Sequence, residues 1–360
     1  MGLTQAEQAV QQLRELYRRY GYTQYRMSKF EPYDLYARNK SFLVSENILT
    51  FTDTDGRLMA LKPDVTLSIV KNAPDMAQTT QKVCYQENVY RAAAGGYREI
   101  MQAGLECIGR VDLVAMGEVL ALAAESLALL DGNYLLDVGH MGLVSGALAG
   151  LGEAERAGLL AEISRKNTAA IRALCAHSGI AHQRAELLCQ LSQLYGRPRE
   201  VIPRLAELAQ GEEQALAELE SLCALLEERG LGEKLRLDFS IANDMRYYNG
   251  IIFQGYLPGL ASGVLAGGRY DNLLRRMGKT GGAVGFAVYL DQLERLDGER
   301  EFDVDVLLVY GPADSPAAVA RRAAQLRQEG ASVRVECGEP RGLRCRRVIR
   351  LGEEGEAQWT

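Results

Sequence analysis

Apolar residues recur at helical spacing through "TQAEQAVQQLRELYRRYGY", where Thr4 and Glu7 stand at capping-box separation and Gly21 supplies a stop. The period changes in "ENILTFTDTDGRLMALKPDVTLSIVKN", which predicts a strand, an Asp-Gly turn, a second strand, and a helix with Pro63 near its first turn. Residues 82–109 predict two strands joined by a Gly-bearing loop, followed by a helix from about Asp112 to Leu130 and a strand over 133–140. From 141 to 230 the chain is rich in Ala, Leu and Glu at helical spacing with no convincing strand, which predicts an all-helical insertion. Strand pattern resumes in "KLRLDFSIAND", "MRYYNGIIFQGY", "GVLAGGRY" and "GGAVGFAVYL", and the helix "LDQLERL" closes the unit. Beyond Gly298, "EFDVDVLLVY", "SPAAVARRAAQLRQEG" and "ASVRVEC" predict a small strand–helix–strand unit. The class is α+β: an antiparallel sheet flanked by helices over 1–298, interrupted by the insertion at about 141–230, and a C-terminal α/β unit over 299–360.

Strand periodicity also sorts side chains by face. In "YREIMQAGLECIG", Gln102, Gly104 and Glu106 share one face, with the glycine leaving space between an amide and a carboxylate. That face meets either solvent or a polar cavity, because an unpartnered buried carboxylate is costly. In "AVGFAV", Ala283, Gly285 and Ala287 lie together, so either a helix or a bound molecule sits against them. Within "MRYYNG", read as strand, Tyr247 and Tyr248 point to opposite faces. Asp64 and Thr66 stand where a helix begins, a position that capping alone can explain. "GGRYD" (267–271) reads as a turn into a helix, since no P-loop Gly-Lys-Ser/Thr follows.

Composition narrows the possible functions. The chain has 360 residues, 47% hydrophobic and 24% charged, and no run approaches the roughly 20 apolar residues of a membrane span. The start lacks a secretory pattern, so the expected compartment is the cytoplasm, with no membrane partner. Seven cysteines without a CxxC pair suggest reduced thiols. Cys175, His177 and His182 in "CAHSGIAH" lack the second-pair spacing of a metal site, so no metal or other cofactor is expected. A net charge of −6 argues against nucleic acid as a partner. No Ser-His-Asp set or dinucleotide fingerprint occurs.

Taken in order, the segments over roughly 4–298 resemble the catalytic core of histidyl-tRNA synthetase, a class II aminoacyl-tRNA synthetase fold. More closely they resemble its non-synthetase relative, the regulatory subunit of ATP phosphoribosyltransferase. "LKPDVT" is similar to the synthetase's Arg-Pro-Glu-Gly-Thr stretch, and "VYRAAAGGYREIMQAGLE" to motif 2 and its following strand. "MRYYNGIIFQ" is similar to the histidine-specific Tyr-Tyr segment, and "LAGGRYDNLL" with "GAVGFAVYLDQL" to the Gly-Gly-Arg-Tyr-Asp segment and motif 3. The resemblance implies a histidine pocket. Asp64, Thr66 and Gln102 hold the ammonium, Arg91 faces the carboxylate or a phosphate, and Glu106 and Tyr247 meet the imidazole with Tyr248 beside them.

The departures from the synthetase bear on chemistry. Asn243 and Gln292 stand where it has arginines, which leaves Arg91 alone of three. In other phosphoryl-transfer sites one arginine is worth ~10³–10⁵ in rate, so adenylate formation should be lost. Arg246, three positions from Asn243, is not expected to substitute. In the tail, nine Arg face ten Asp and Glu over 301–360, and the basic cluster "RGLRCRR" (341–347) reads as a solvated turn, poor footing for tRNA. The resemblance therefore implies a non-catalytic regulatory subunit. It forms a homodimer, assembles with the catalytic subunit of ATP phosphoribosyltransferase into a hetero-octamer, and takes histidine as effector. The alternative is a degenerate histidyl-tRNA synthetase or a stand-alone amino-acid-activating ligase.

Overall fold

The structure is a computed structural model that describes residues 5–40, 43, 47–75, 78–93, 96–209, 211–241, 247–295, 302–351 and 357–358. Contacts divide the chain into two compact units, Ala6–Leu296 and Asp297–Thr360 with Met1–Gln5.

The larger unit is built on a nine-stranded sheet. Its order is Thr23–Gln24, Thr80–Ala93, Gly96–Gly109, Gly282–Tyr289, Leu265–Arg269, Ile251–Tyr256, Leu135–His140, Leu235–Asp238 and Tyr195–Gly196. Pairing is antiparallel except for Thr23–Gln24 on Thr80–Ala93 and Leu135–His140 on Leu235–Asp238. The expected antiparallel sheet is thus parallel at two places toward its edges. Tyr195–Gly196 corrects the all-helical reading of the insertion, because two residues between its helices extend the sheet by pairing with Leu235–Asp238. The remainder of the insertion is helical, from Met141–Ala147 to Glu213–Glu228.

Cross-strand register gives each face a single character. Leu105, Phe286, Phe253, Val138 and Leu237 lie on one face and are buried in the main core. Helix Leu113–Leu130 covers that face, and Asp112 caps it by accepting from the Ala115 N–H at 3.0 Å. This helix corrects only the expected absence of a long apolar run: by length and composition alone, its 18 residues, with a mean hydropathy of 1.9, could cross a bilayer. Its apolar character has another cause here. It lies between the sheet and helix Glu213–Glu228, and both flanks demand apolar side chains. The opposite face carries Gln102, Gly104, Glu106, Gly285, Gly268, Asp137 and Asp238, the alternation expected of half-polar strands.

A three-stranded sheet of Phe30–Pro32, Leu58–Leu61 and Thr50–Thr52 leads into helix Thr66–Asn72. Its hairpin turn is set by Asp53 Oδ1, which accepts from the Asp55 and Arg57 N–H groups, and by Gly56 at φ 78°. The helix starts three residues after Pro63, later than the sequence suggests. Its C-terminal carbonyls are satisfied from outside: Lys279 Nζ donates to Val70 O and Ala73 O, and to Lys71 O at 3.1 Å. Replacing Lys279 by Ala leaves these acceptors without their cation and should cost about 1–2 kcal/mol, measurable as a lower urea midpoint.

The smaller unit has a four-stranded sheet in the order Val333–Glu336, Val304–Val309, Cys345–Arg350, Ala357–Gln358, with helix Pro316–Gln328. The basic cluster is the expected turn only in its first part: 341–344 form a turn and loop, and from Cys345 the chain is a strand parallel to Val304–Val309. Of its four arginines, Arg344 is paired locally with Asp303 at 3.1 Å and Arg346 with Asp305 at 3.8 Å.

Candidate functional site

The polar face of the sheet forms the floor of a cavity of about 420 Å³. Asp64, Thr66, Arg91, Gln102, Glu106, Tyr247 and Tyr248 all line it. The floor is low because the cross-strand row Glu106–Gly285–Gly268 places two glycines beside the carboxylate. A Cβ on Gly285 would lie 1.8 Å from Glu106 Oε2, and one on Gly104 would lie 2.5 Å from the Tyr85 hydroxyl. The small residues seen in sequence therefore make room for acids and phenols.

Glu106 is 2% exposed and lies between two hydroxyls. Thr66 Oγ1 donates to its Oε1 at 2.7 Å, and Tyr270 Oη to its Oε2 at 2.5 Å. Burial pushes its carboxyl up to about 8, the two hydroxyls pull it partly back, and the Asp64 charge adds to the rise. This end of the cavity is an acid held near neutrality and ringed by Tyr247, Tyr248 and Tyr270, whose phenols burial also pushes up in the case of Tyr247 and Tyr270. The Tyr247 and Tyr248 rings meet edge-on at 4.7 Å between centroids, and Tyr247 and Tyr270 stand 5.5 Å apart.

At the other end, Asp64 Oδ1 accepts from the Leu67 N–H at 2.8 Å, so the capping role is real and occupies one of its oxygens. Burial raises its carboxyl, while the Leu67 N–H and the charge of Arg91 oppose the rise. Arg91 Nε donates to Pro63 O at 3.2 Å and its guanidinium also reaches the Tyr289 hydroxyl. Beneath them, fully buried Lys62 meets Glu87 at 2.5 Å and fixes the backbone that leads into Asp64.

The tyrosine pair departs from the expected alternation. The strand begins only at Ile251, so Tyr247 and Tyr248 precede the pleat and both line the cavity. Tyr270 was not among the expected residues, yet it is buried and holds Glu106. "GGRYD" is correspondingly more than a turn, since Gly267 and Gly268 lie within strand Leu265–Arg269 and helix Asp271–Arg276 follows Tyr270. Asn243 and Arg246 lie outside the described residues. Gln292 is in the 3-10 turn Leu290–Arg295, accepts from Ser262 Oγ at 3.3 Å, and does not line the cavity. Cys175 is buried while His177 and His182 are exposed, and among the described residues no group of three His, Cys, Asp or Glu could hold a metal.

The profile of the histidyl-tRNA synthetase family matches residues 2–293, and the chain belongs to this family, the class II fold that the sheet and its cavity display. An ATP phosphoribosyltransferase regulatory subunit of Symbiobacterium thermophilum is 31% identical over 81% of this chain and 76% of its own length. Within the family, the chain belongs with these regulatory subunits. A solved structure from Bacillus halodurans, described as an ATP phosphoribosyltransferase regulatory subunit/histidyl-tRNA synthetase, superposes with a TM-score of 0.78 and 25% identity over 96% of this chain and 93% of the other. A chain of an ATP phosphoribosyl transferase complex from Thermotoga maritima shares the fold, with a TM-score of 0.62 and 21% identity over 79% of this chain and 97% of the other.

Proposed function

We propose that the chain is a non-catalytic regulatory subunit of ATP phosphoribosyltransferase, serving the first step of histidine biosynthesis in the cytoplasm, and that its cavity senses free histidine. The ammonium lies against Asp64, Thr66 and Gln102, and the carboxylate faces Arg91. The ring meets Glu106, Tyr247 and Tyr248, with Tyr270 behind the acid. A zwitterion with a two-sided ring calls for this division of acceptors, cation and ring partners. The observation that carries the non-catalytic reading is that Arg91 is the only Lys or Arg among the described residues lining the cavity. A triphosphate undergoing attack needs several fixed cations.

We also infer that the chain forms a homodimer and joins catalytic subunits in a hetero-octamer, a reading supported by its likeness to curated ATP phosphoribosyltransferase regulatory subunits and by a chain of similar fold in the Thermotoga maritima complex. Histidine would shift that complex toward an inhibited state, and a reciprocal coupling of ~1–3 kcal/mol suffices. The test is to mix the purified chain with a short-form catalytic subunit. Phosphoribosyl transfer should depend on the chain and fall on adding histidine, while the chain alone should show no histidine-dependent exchange of pyrophosphate into ATP. Clear exchange would instead establish the alternative, an amino-acid-activating ligase.

A further inference from the structure

A second group of buried charges lies on the cavity face of the sheet, at its seam with the helical insertion. Asp137 and Asp238, on neighbouring parallel strands, are 6% and 5% exposed. Asp137 stands directly across from Gln254, a residue that lines the cavity, so one strand separates the acid pair from the site. Asp238 is satisfied: its Oδ2 accepts from Lys166 Nζ at 3.0 Å and its Oδ1 from the Ser240 N–H at 2.8 Å. Asp137 is not, because its Oδ1 is buried without a hydrogen-bond partner.

Lys166 comes from the insertion, between helices Glu153–Ser164 and Thr168–His177. Among the described residues it is the only non-glycine with positive φ, at 53°. That conformation is costly for a side-chain-bearing residue and persists where the surroundings enforce it. Here it closes helix Glu153–Ser164, with the Asn167 N–H on Glu162 O at 3.0 Å and the Lys166 N–H on Ile163 O at 2.9 Å. From that position the ammonium reaches Asp238 and lies 5.0 Å from the centre of the Tyr195 ring, and Lys166 O accepts from Gln193 Nε2 at 2.9 Å. The other ionisable groups facing the pair are Arg236, Tyr195 and Tyr256. Arg236 Nη1 is engaged by the carbonyls of Glu233 and Leu235. Of the two buried carboxylates only Asp238 bonds the ammonium, which leaves Asp137 the acid whose buried Oδ1 has no hydrogen-bond partner.

We propose that Asp137, Asp238 and Lys166 form a proton-operated latch that clamps the helical insertion to the sheet beside the cavity, closed while Asp137 is protonated and loosened when it ionises. Burial first, and then the Asp238 charge, push the Asp137 carboxyl up to about 7, against the pull of Lys166 and Arg236. The raised value fixes the sign. The closed state binds the extra proton between the ordinary carboxylate range and about 7, so opening becomes easier as pH rises through that window and levels off above it.

Amide exchange of the full chain, expressed against the intrinsic rate at each pH, reads the latch at residues 163–168 and 193–196. Protection there should fall at least about tenfold between pH 5 and pH 8, with amides of helix Leu113–Leu130 reporting any global change to be subtracted. In Asp137→Asn, which mimics the protonated form, protection should stay high and change less than about twofold. Removing the neighbouring charge in Asp238→Asn should move the transition to lower pH. A flat wild-type profile, an undiminished transition in Asp137→Asn, or an unmoved midpoint in Asp238→Asn each overturns the latch.

Discussion

Replacing Glu106 by Ala weakens histidine binding in titration calorimetry by at least about 100-fold, the largest ligand effect expected of any single side chain here. The reason is that Glu106 organises its end of the cavity. Thr66 and Tyr270 both donate to it, so truncation removes the acid that meets the ring and leaves two buried hydroxyls without their acceptor. Each buried hydroxyl left without its acceptor costs about 1–3 kcal/mol, and the two together account for the stated factor. An affinity within threefold of wild type would show that the ring does not contact this carboxyl. Glu106→Gln separates charge from shape. The folded protein holds the Glu106 proton up to about pH 8, against an ordinary value of 4.5, so the folded state binds more protons between those limits. Stability of the ligand-free chain therefore declines as pH rises from about 4.5 to about 8, and Glu106→Gln flattens that part of the urea-midpoint profile. A slope unchanged in the variant would place the titration elsewhere.

Gly285→Ala should damage the fold and the site together. Its added methyl would lie 1.8 Å from Glu106 Oε2 and 2.4 Å from Leu105 O. The carboxylate cannot swing clear while it is held by two hydroxyls, and the second obstacle is main chain in the centre of the sheet. Overpacking of this kind costs about 1–3 kcal/mol and sometimes more, so a marked fall in the urea midpoint is expected along with loss of histidine binding. Gly278→Ala, in an open turn at φ 72°, provides the comparison: it strains a backbone but touches nothing within 4 Å, and should leave binding unchanged. Wild-type affinity in Gly285→Ala would mean that the floor is not where the ligand rests.

Much of this arrangement was legible before any coordinates. Period two placed Gln102, Gly104 and Glu106 on one face and set Gly285 with Ala287, and register then brought the two strands together with Gly285 opposite Glu106. Reading stopped one residue short at Tyr270. Residues 263–270 carry strand pattern, but 267–271 also read as a turn into a helix, which hid the alternation of Ala266, Gly268 and Tyr270. The error at Tyr247 and Tyr248 ran the other way, a strand extended past its true start at Ile251. Lys62 with Glu87 and Asp137 with Lys166 and Asp238 could not be seen at all. Their partners come from separate elements, and no local periodicity encodes a register set by the rest of the sheet.

The apolar helix Leu113–Leu130 carries a consequence for handling the protein. Its greasiness is harmless only while the sheet and the insertion enclose it. A chain released from denaturant presents that stretch to its neighbours before either cover is in place, and collision between chains then competes with burial. Recovery of soluble material should accordingly improve with dilution, since burial is a first-order process and clumping is not.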